Sequence, residues 1–410
     1  MPHAPVTPSA NSVANAAPPR VAVVVDWLAR TGGAELVIRE ILRAFPDADL
    51  FALFDVMSAA DRAPITDRPS HTSFMQHIPG IARHYRSLLP VMTFAIRTID
   101  LGEYDVIISS NHAVAKGVRV RPGQFHLCYC HSPMRYAWDL QEAYLADHGI
   151  RGVKAVAARA VLARVRDWDR ATAAGVDRFV VNSRFVGDRV RRSYGRDSIV
   201  LHPPVDLDFF TPAGARLDGA SLDGAREADL YVTASRQVPY KRIDRIVEAF
   251  RALPDRRLVV LGDGPQHERI RAAAAGAPNI SLLGEVPREE LREWFRRARA
   301  FVFAGEEDFG IVPLEAQACG TPVIALGKGG ALETVRGAPG PDRTGLFFAD
   351  DSPATIADAV RRFESLEVAP SAQACRTNAE HFAAPRFHEA LEREVAEGWA
   401  AKKKQKDSAT

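Results

Sequence analysis

Residues 300–325 restrict the folds open to this chain more than any other stretch. Ala300-Phe-Val-Phe-Ala304 is an unbroken apolar run, the pattern of a strand covered on both faces. An acidic loop follows, Gly305-Glu-Glu-Asp-Phe-Gly310, and then a short helix that the pattern starts at Pro313, a residue suited to the first helical position. A second apolar strand, Pro322-Val-Ile-Ala325, closes the unit. Strand, helix and strand in that order predict a βαβ unit, and so a parallel sheet with helices on its faces. Ligands of open parallel sheets bind at the carboxyl ends of the strands. Glu307 projects from that rim, and Glu315, eight positions later, falls near the first turn of the helix. A purely structural reading is open for both. Glu315 could cap its helix, and Glu306-Glu307-Asp308 could complement the helix dipole.

The same alternation runs through the rest of the chain. Strand-like runs occur at Arg20–Val25, Asp49–Phe54, Tyr104–Ser109, Phe125–Cys130 and Arg178–Asn182. A second set follows at Asp229–Ala234, Arg257–Leu261 and Ile280–Leu283, and ends in the two strands above. With 410 residues, two domains are expected rather than one core. Residues 201–212, with paired prolines and no periodicity, read as the connection between them. The fold class is therefore α/β, two Rossmann-like domains with parallel sheets facing a cleft. The expected boundaries are a disordered leader over 1–19, a first domain over 20–200 and a linker over 201–212. A second domain follows over 213–384 (opening in a loop to about 228), then a helix over 385–401 and a basic tail over 402–410.

Four scattered cysteines do not make a disulfide framework, and the Cys128-x-Cys130 pair has no second pair to complete a zinc site. No run approaches the ~18 apolar residues needed to span a bilayer, and the first residues lack the apolar core of a signal peptide. Net charge is +2 but uneven: residues 1–200 hold 25 basic and 19 acidic side chains, against 28 and 32 in the remainder. The first half is thus expected to face an anionic partner.

Several strand-end loops carry chemistry. Thr31-Gly32-Gly33-Ala-Glu35 joins a strand to a helix, and a glycine pair there can cradle an anion on free backbone N–H groups. Ser235-Arg236-Gln-Val-Pro-Tyr-Lys241 places two cations in a strand-to-helix loop, where they would meet the charge that develops on a leaving phosphate. Gly262-Asp-Gly264 and Gly284-Glu285-Val286 end the next two strands and read equally well as turns or as pocket lining. In the first half, His131 follows a strand in Tyr129-Cys-His-Ser-Pro-Met-Arg135-Tyr136-Ala-Trp-Asp139, and Asn111-His112 follows another. Ser183 suits a helix N-cap. A helix over 151–170 places Val161, Val165 and Trp168 on one side and Arg159, Arg166 and Arg170 on another. With the basic and apolar segment Ile81–Phe94, it fits shallow binding at an anionic membrane surface, although most charged helix faces are merely solvated.

Taken together, these motifs resemble those of the retaining glycosyltransferases of family 4, whose architecture is called GT-B. The likeness runs over residues 20–390, through the Glu-x7-Glu signature at Glu307 and Glu315, and favours the bacterial polysaccharide mannosyltransferase-like branch on Cys128–Asp139. It implies a C-terminal helix that crosses back to the first domain. It also implies that Glu307 and His131 act at the reacting centre. Gly32, Gly33, Arg236, Lys241, Gly262, Gly264, Glu285 and Val286 would hold the donor, together with Phe309, Gly310, Ile311, Val312 and Glu315. Asn111, His112, Arg135 and Tyr136 would face the acceptor. The resemblance implies a sugar nucleotide (GDP-mannose first, a UDP-linked sugar second) as substrate, no cofactor and no required metal. Expected partners are a glycan or polyprenyl-linked acceptor and an anionic membrane surface, in the cytoplasm at the inner membrane face, with no nucleic acid. Two other readings share the layout: a non-hydrolysing sugar-nucleotide epimerase and a nucleotide-binding module without turnover.

Overall fold

In this computed structural model, which describes residues 18–409 except 140, 143–144, 146–148 and 214–225, two parallel sheets face each other across a cleft. The first contains β1 (Val21–Val25), β2 (Asp49–Ala52), β3 (Ser70–Thr72), β4 (Val106–Asn111), β5 (Phe125–Cys130), β6 (Arg178–Val181) and β7 (Ile199–Val200). Their spatial order is β3-β2-β1-β4-β5-β6-β7. The second contains β8 (Glu227–Ala234), β9 (Arg257–Leu261), β10 (Ile280–Gly284), β11 (Ala298–Phe303), β12 (Val323–Leu326) and β13 (Gly345–Phe348), in the order β10-β9-β8-β11-β12-β13.

The continuous apolar runs become central strands because both of their faces are buried. Ala22 and Val24 of β1 enter one core cluster, and Val23 and Val25 enter the cluster on the opposite face. In β8, Val232 and Tyr231 divide between two clusters in the same way. Three short strands, β3, β7 and β13, were not expected from the sequence. They lie at sheet edges, where one neighbour suffices and the apolar requirement is relaxed. At the start of β13 a side chain is excluded outright: a Cβ on Gly345 would sit 2.0 Å from the carbonyl oxygen of Val323.

Strand order reverses between β1 and β4 in the first sheet and between β8 and β11 in the second. Crevices open at the carboxyl ends of such switch points. The chain crosses between the domains twice, and the crossings touch. Val205 pairs with Ala383, and Val205 N donates to Phe382 O at 2.9 Å.

After the second crossing, the helix Ala384–Ala409 packs on the first domain through buried Phe387, Leu391 and Val395. His388 bonds Glu40 at 2.9 Å, and Arg178 bonds Glu394 at 2.6 Å. The helix extends through the residues expected as a frayed tail, held in part by Lys402 on Asp177 at 2.7 Å. The leader expected over 1–19 falls mostly on 1–17, and the loop over 213–228 mostly on 214–225, both outside the described residues. Glu227 and Ala228 already belong to β8.

All four cysteines are buried and unbridged. Among the described residues, no helix is long and apolar enough to cross a membrane. The helix expected over 151–170 spans Gly152–Thr172, and the arginines of its basic side, of which Arg159 and Arg170 are exposed, have partners within the protein. Arg159 pairs with Glu142, Arg166 bonds Gln141 and lies over Trp138, and Arg170 lies over Trp138 and donates to Ser193 O. Local spacing could not reveal these partners, because all lie outside the helix. On the side that carries Val161, Val165 and Trp168, Val165 is buried and Val161 is 40% exposed.

Candidate active site

At the second sheet's switch point, the loop after β8 supplies Arg236 and Lys241, and the loop after β11 supplies Glu307. Arg236 is exposed to the cleft and reaches across it to line a pocket of the first domain beside His112. Lys241 is mostly buried, with its ammonium in contact with the Glu307 carboxylate. Burial and then Arg135 push the Lys241 pKa down to about 7, while Asp308 acts in the opposite sense. The two loops approach closely at position 305, where a Cβ would sit 3.3 Å from Lys241 Cα and from Tyr240 O.

Gly262 and Gly264 have a packing reason of their own. A Cβ on Gly262, whose φ is +99°, would meet Ser235 O at 2.1 Å, and one on Gly264 would meet Gln237 O at 2.6 Å. These glycines let the turn after β9 lie against the Arg236 loop. Glu285 leaves its own domain: both carboxylate oxygens accept from Arg30 Nη2 at 2.7 Å across the cleft. Val286 packs against the core below.

The Glu307 loop ends at Gly310, whose φ of +87° suits glycine and which starts the helix Ile311–Ala318. The helix thus begins two residues before the expected Pro313, which occupies its third position, and Glu315 lies beyond the first turn. No side chain caps this helix, so the amides of Ile311 and Val312 are left for a ligand. The Phe309 side chain turns inward from the loop. It is buried, stacking on His202 at 5.3 Å. Glu315 is buried, and burial raises its pKa to about 7 against a smaller lowering by Arg288.

A second uncapped helix start faces the first. Gly32 begins the helix Gly33–Ala44 without a side-chain cap, and a Cβ on Gly33 would lie only 3.5 Å from Ile311 Cδ1. Two positive dipole ends therefore meet across the cleft, next to Arg236 and Lys241.

In the first domain, β4 and β5 bring His112 and His131 to one rim, with ring centroids 6.5 Å apart. Asp26, at the end of β1, organises the loop after β4. Its carboxylate accepts from the amides of His112 (2.8 Å), Ala113 (3.0 Å), Val114 and Ala115 (2.7 Å), and contacts His112 Nδ1 at 3.0 Å. Burial opposes charge on His112, but Asp26 carries the net shift of its pKa upward. His131 is pushed down to about 3 by burial, with His112 adding to the effect, and shares a 2.8 Å hydrogen bond with Ser110 Oγ. It is a neutral imidazole at neutral pH.

Asp26 and Ser110 had no role in the sequence reading. Their only signal was position, at the carboxyl ends of β1 and β4. Of the residues assigned to the acceptor, Asn111 is wholly buried and braces the loop through Oδ1 on Lys116 N at 3.0 Å. Arg135 turns to the other domain, lying 4.9 Å from the Tyr240 ring centre. Tyr136 and His112 line the pocket beside the site.

Asp308 and Glu333 of the second domain hold the first. Asp308 pairs with Arg189, and Ser183 Oγ donates to its carbonyl. Glu333 accepts from the amides of Arg184 (3.0 Å) and Phe185 (3.3 Å), at the helix start that Ser183 caps through Val186 N. Among the described residues, no group of three or more His, Cys, Asp or Glu side chains is placed to hold a metal ion.

Two family models match consecutive parts of this chain: Glycosyltransferase Family 4 over residues 31–209 and Glycosyl transferases group 1 over residues 223–382. The chain is 31% identical over 196 residues to a D-inositol 3-phosphate glycosyltransferase of Mycobacteroides abscessus, covering 45% of this chain and 43% of that protein. The match thus spans under half the length of that relative. In structure it is similar to Anabaena HepE in complex with UDP and glucose, with a TM-score of 0.65 at 15% identity over 92% of this chain and 99% of the other. It is also similar to a sucrose-phosphate synthase of Thermosynechococcus elongatus, with a TM-score of 0.68 at 18% identity, covering 93% and 100%.

Proposed function

The chain belongs to glycosyltransferase family 4, with GT-B architecture, and from that premise we propose that it moves a hexose from a sugar nucleotide to a lipid-linked or polysaccharide acceptor with retention of anomeric configuration. The observation that carries this reading is the convergence of Arg236, Lys241 and two uncapped helix starts on one point of the cleft, beside Glu307. A nucleoside diphosphate needs that density of positive potential, and so does the charge that grows on it as the glycosidic bond breaks.

In this reading the bond from the anomeric carbon to the diphosphate oxygen breaks while the acceptor oxygen approaches the same face. The acceptor proton passes to the departing phosphate, so no enzymic nucleophile is required. Arg236 and Lys241 take up the negative charge, and no metal or cofactor enters. Glu307 stabilises the positive charge at the anomeric carbon or orients the sugar hydroxyls. His131, neutral and fixed by Ser110, hydrogen-bonds the transferred sugar. Glu315 accepts from the ribose hydroxyls. The likeness of Cys128–Asp139 to mannosyltransferase-like members favours GDP-mannose, while the UDP held by HepE favours a uridine donor.

A thermal-shift panel of sugar nucleotides decides the donor, because ligand binding stabilises the folded state as RT ln(1 + [L]/Kd). Incubating the preferred donor with membrane extract then tests the reaction. Transfer of labelled sugar with an α-linkage supports the proposal. Isomerised donor, or binding without turnover, would overturn it in favour of an epimerase or a silent module.

A further inference from the structure

The pocket that Arg236 and His112 share does not end at the reacting centre. It continues into the first domain as a cavity of about 660 Å³, the size of a small-molecule site. Its walls are apolar: Leu89 and Met92 from the helix Leu89–Ala95 on one side, Val161 and Leu162 from the helix Gly152–Thr172 on the other. Trp27 and Tyr136 also line it. Val161 both lines the cavity and is exposed, so the cavity lies close under the surface at this helix.

The same helices present apolar side chains outward. Phe94 is 64% exposed with its ring 6.2 Å from that of Phe74, and Val153 and Val156 are 86% and 64% exposed. The cavity walls are mostly hydrocarbon, with few hydrogen-bonding groups (Ser87, Tyr85 and Tyr136), and so suit a hydrocarbon chain better than a run of sugars. The diphosphate of the donor sits at the inner end only.

We propose that this cavity receives the hydrocarbon chain of a lipid-linked sugar acceptor. The acceptor's sugar then lies between His112 and Arg236, and the rest of the chain leaves past Val161 over the apolar rim. The proposal rests on the glycosyltransferase reading and narrows its acceptor to an amphiphile. It also shifts the expected membrane-facing surface from the internally paired arginines of the helix Gly152–Thr172 to its exposed valines and the neighbouring Phe94.

The full chain should be titrated calorimetrically with methyl, hexyl, octyl and decyl glucosides, each below its micelle concentration. Affinity should rise by up to about fourfold per methylene until the cavity is filled, as expected for burial of a hydrocarbon chain. Ala158→Trp fills the cavity from a half-exposed helix position and should flatten this dependence while leaving nucleoside diphosphate binding unchanged. Val161→Asp, in the lining, should do the same.

An affinity independent of chain length in the wild type would overturn the proposal and point to a soluble glycan acceptor. So would an undiminished dependence in both variants. Chain-length dependence in a protein that neither binds nor transfers from any sugar nucleotide would instead overturn the glycosyltransferase reading and leave the apolar site standing.

Discussion

The ammonium of Lys241 rests against the carboxylate of Glu307, so the cation placed for the diphosphate and the carboxylate placed for the sugar neutralise each other in the free protein. The contact joins the loops after β8 and β11, on either side of the point where strand order reverses. Donor binding has to exchange this pair for two new ones, phosphate on Lys241 and sugar on Glu307. Charge is thereby held ready at the site without leaving either group buried and unpaired.

Removing Glu307 should therefore affect chemistry more than binding. Glu307→Ala is expected to lower kcat by more than ~100-fold, the scale for a group acting on transition-state charge. Donor affinity should hold or improve, since Lys241 is released. Single-turnover transfer together with calorimetry checks both, and near-wild-type turnover would remove Glu307 from the mechanism.

Lys241→Ala should weaken nucleoside diphosphate by about 1.5–3 kcal/mol, the range for hydrogen bonds to charged groups. The nucleoside alone should bind as it does to the wild type. Equal losses for the two ligands in titration would contradict the phosphate assignment.

Nucleoside binding should depend on pH through Glu315. Its pKa of about 7 lies above the ordinary carboxylate value, so it is largely protonated below neutrality and accepts ribose hydroxyls fully only above it. Affinity should fall by at most tenfold per unit below pH 7 and level off above it. Glu315→Gln should bind more weakly and flatten the profile. The same shift makes the free protein more stable at low pH through this group. That contribution is complete below about pH 4.5 and is lost as pH rises through 7, so Gln should also reduce the pH dependence of Tm there.

Away from the site, Lys116 and Asp169 form a fully buried ion pair, and the Asp169 carboxylate also accepts from Trp138 Nε1 and Tyr194 OH at 2.8 Å each. Lys116→Ala leaves that carboxylate without its cation and should cost about 3–5 kcal/mol, seen as a large fall in Tm. Lys116→Ala combined with Asp169→Asn should recover part of the loss. An unchanged Tm in the single variant would show that solvent reaches the pair.

The sequence by itself determined the order of strands and helices and the loops in which chemistry could lie. Short apolar runs such as Val21–Val25, bounded by loop signals, read as strands buried on both faces, and a parallel sheet puts the loops after them on one rim. That is why Arg236, Lys241, Glu307 and His131 could be placed in strand-end loops from local pattern, while the roles expected of them came from the family resemblance.

Tertiary structure decided which way those side chains turn and what they meet. Asn111 turns inward, Phe309 stacks under the loop, and Arg135 crosses to Tyr240. Asp26 holds four amides more than 85 residues away in sequence. The short edge strands and the apolar cavity were invisible for the same reason. Periodicity records which face of an element is buried, but a partner contributed by a distant segment leaves no mark on local spacing.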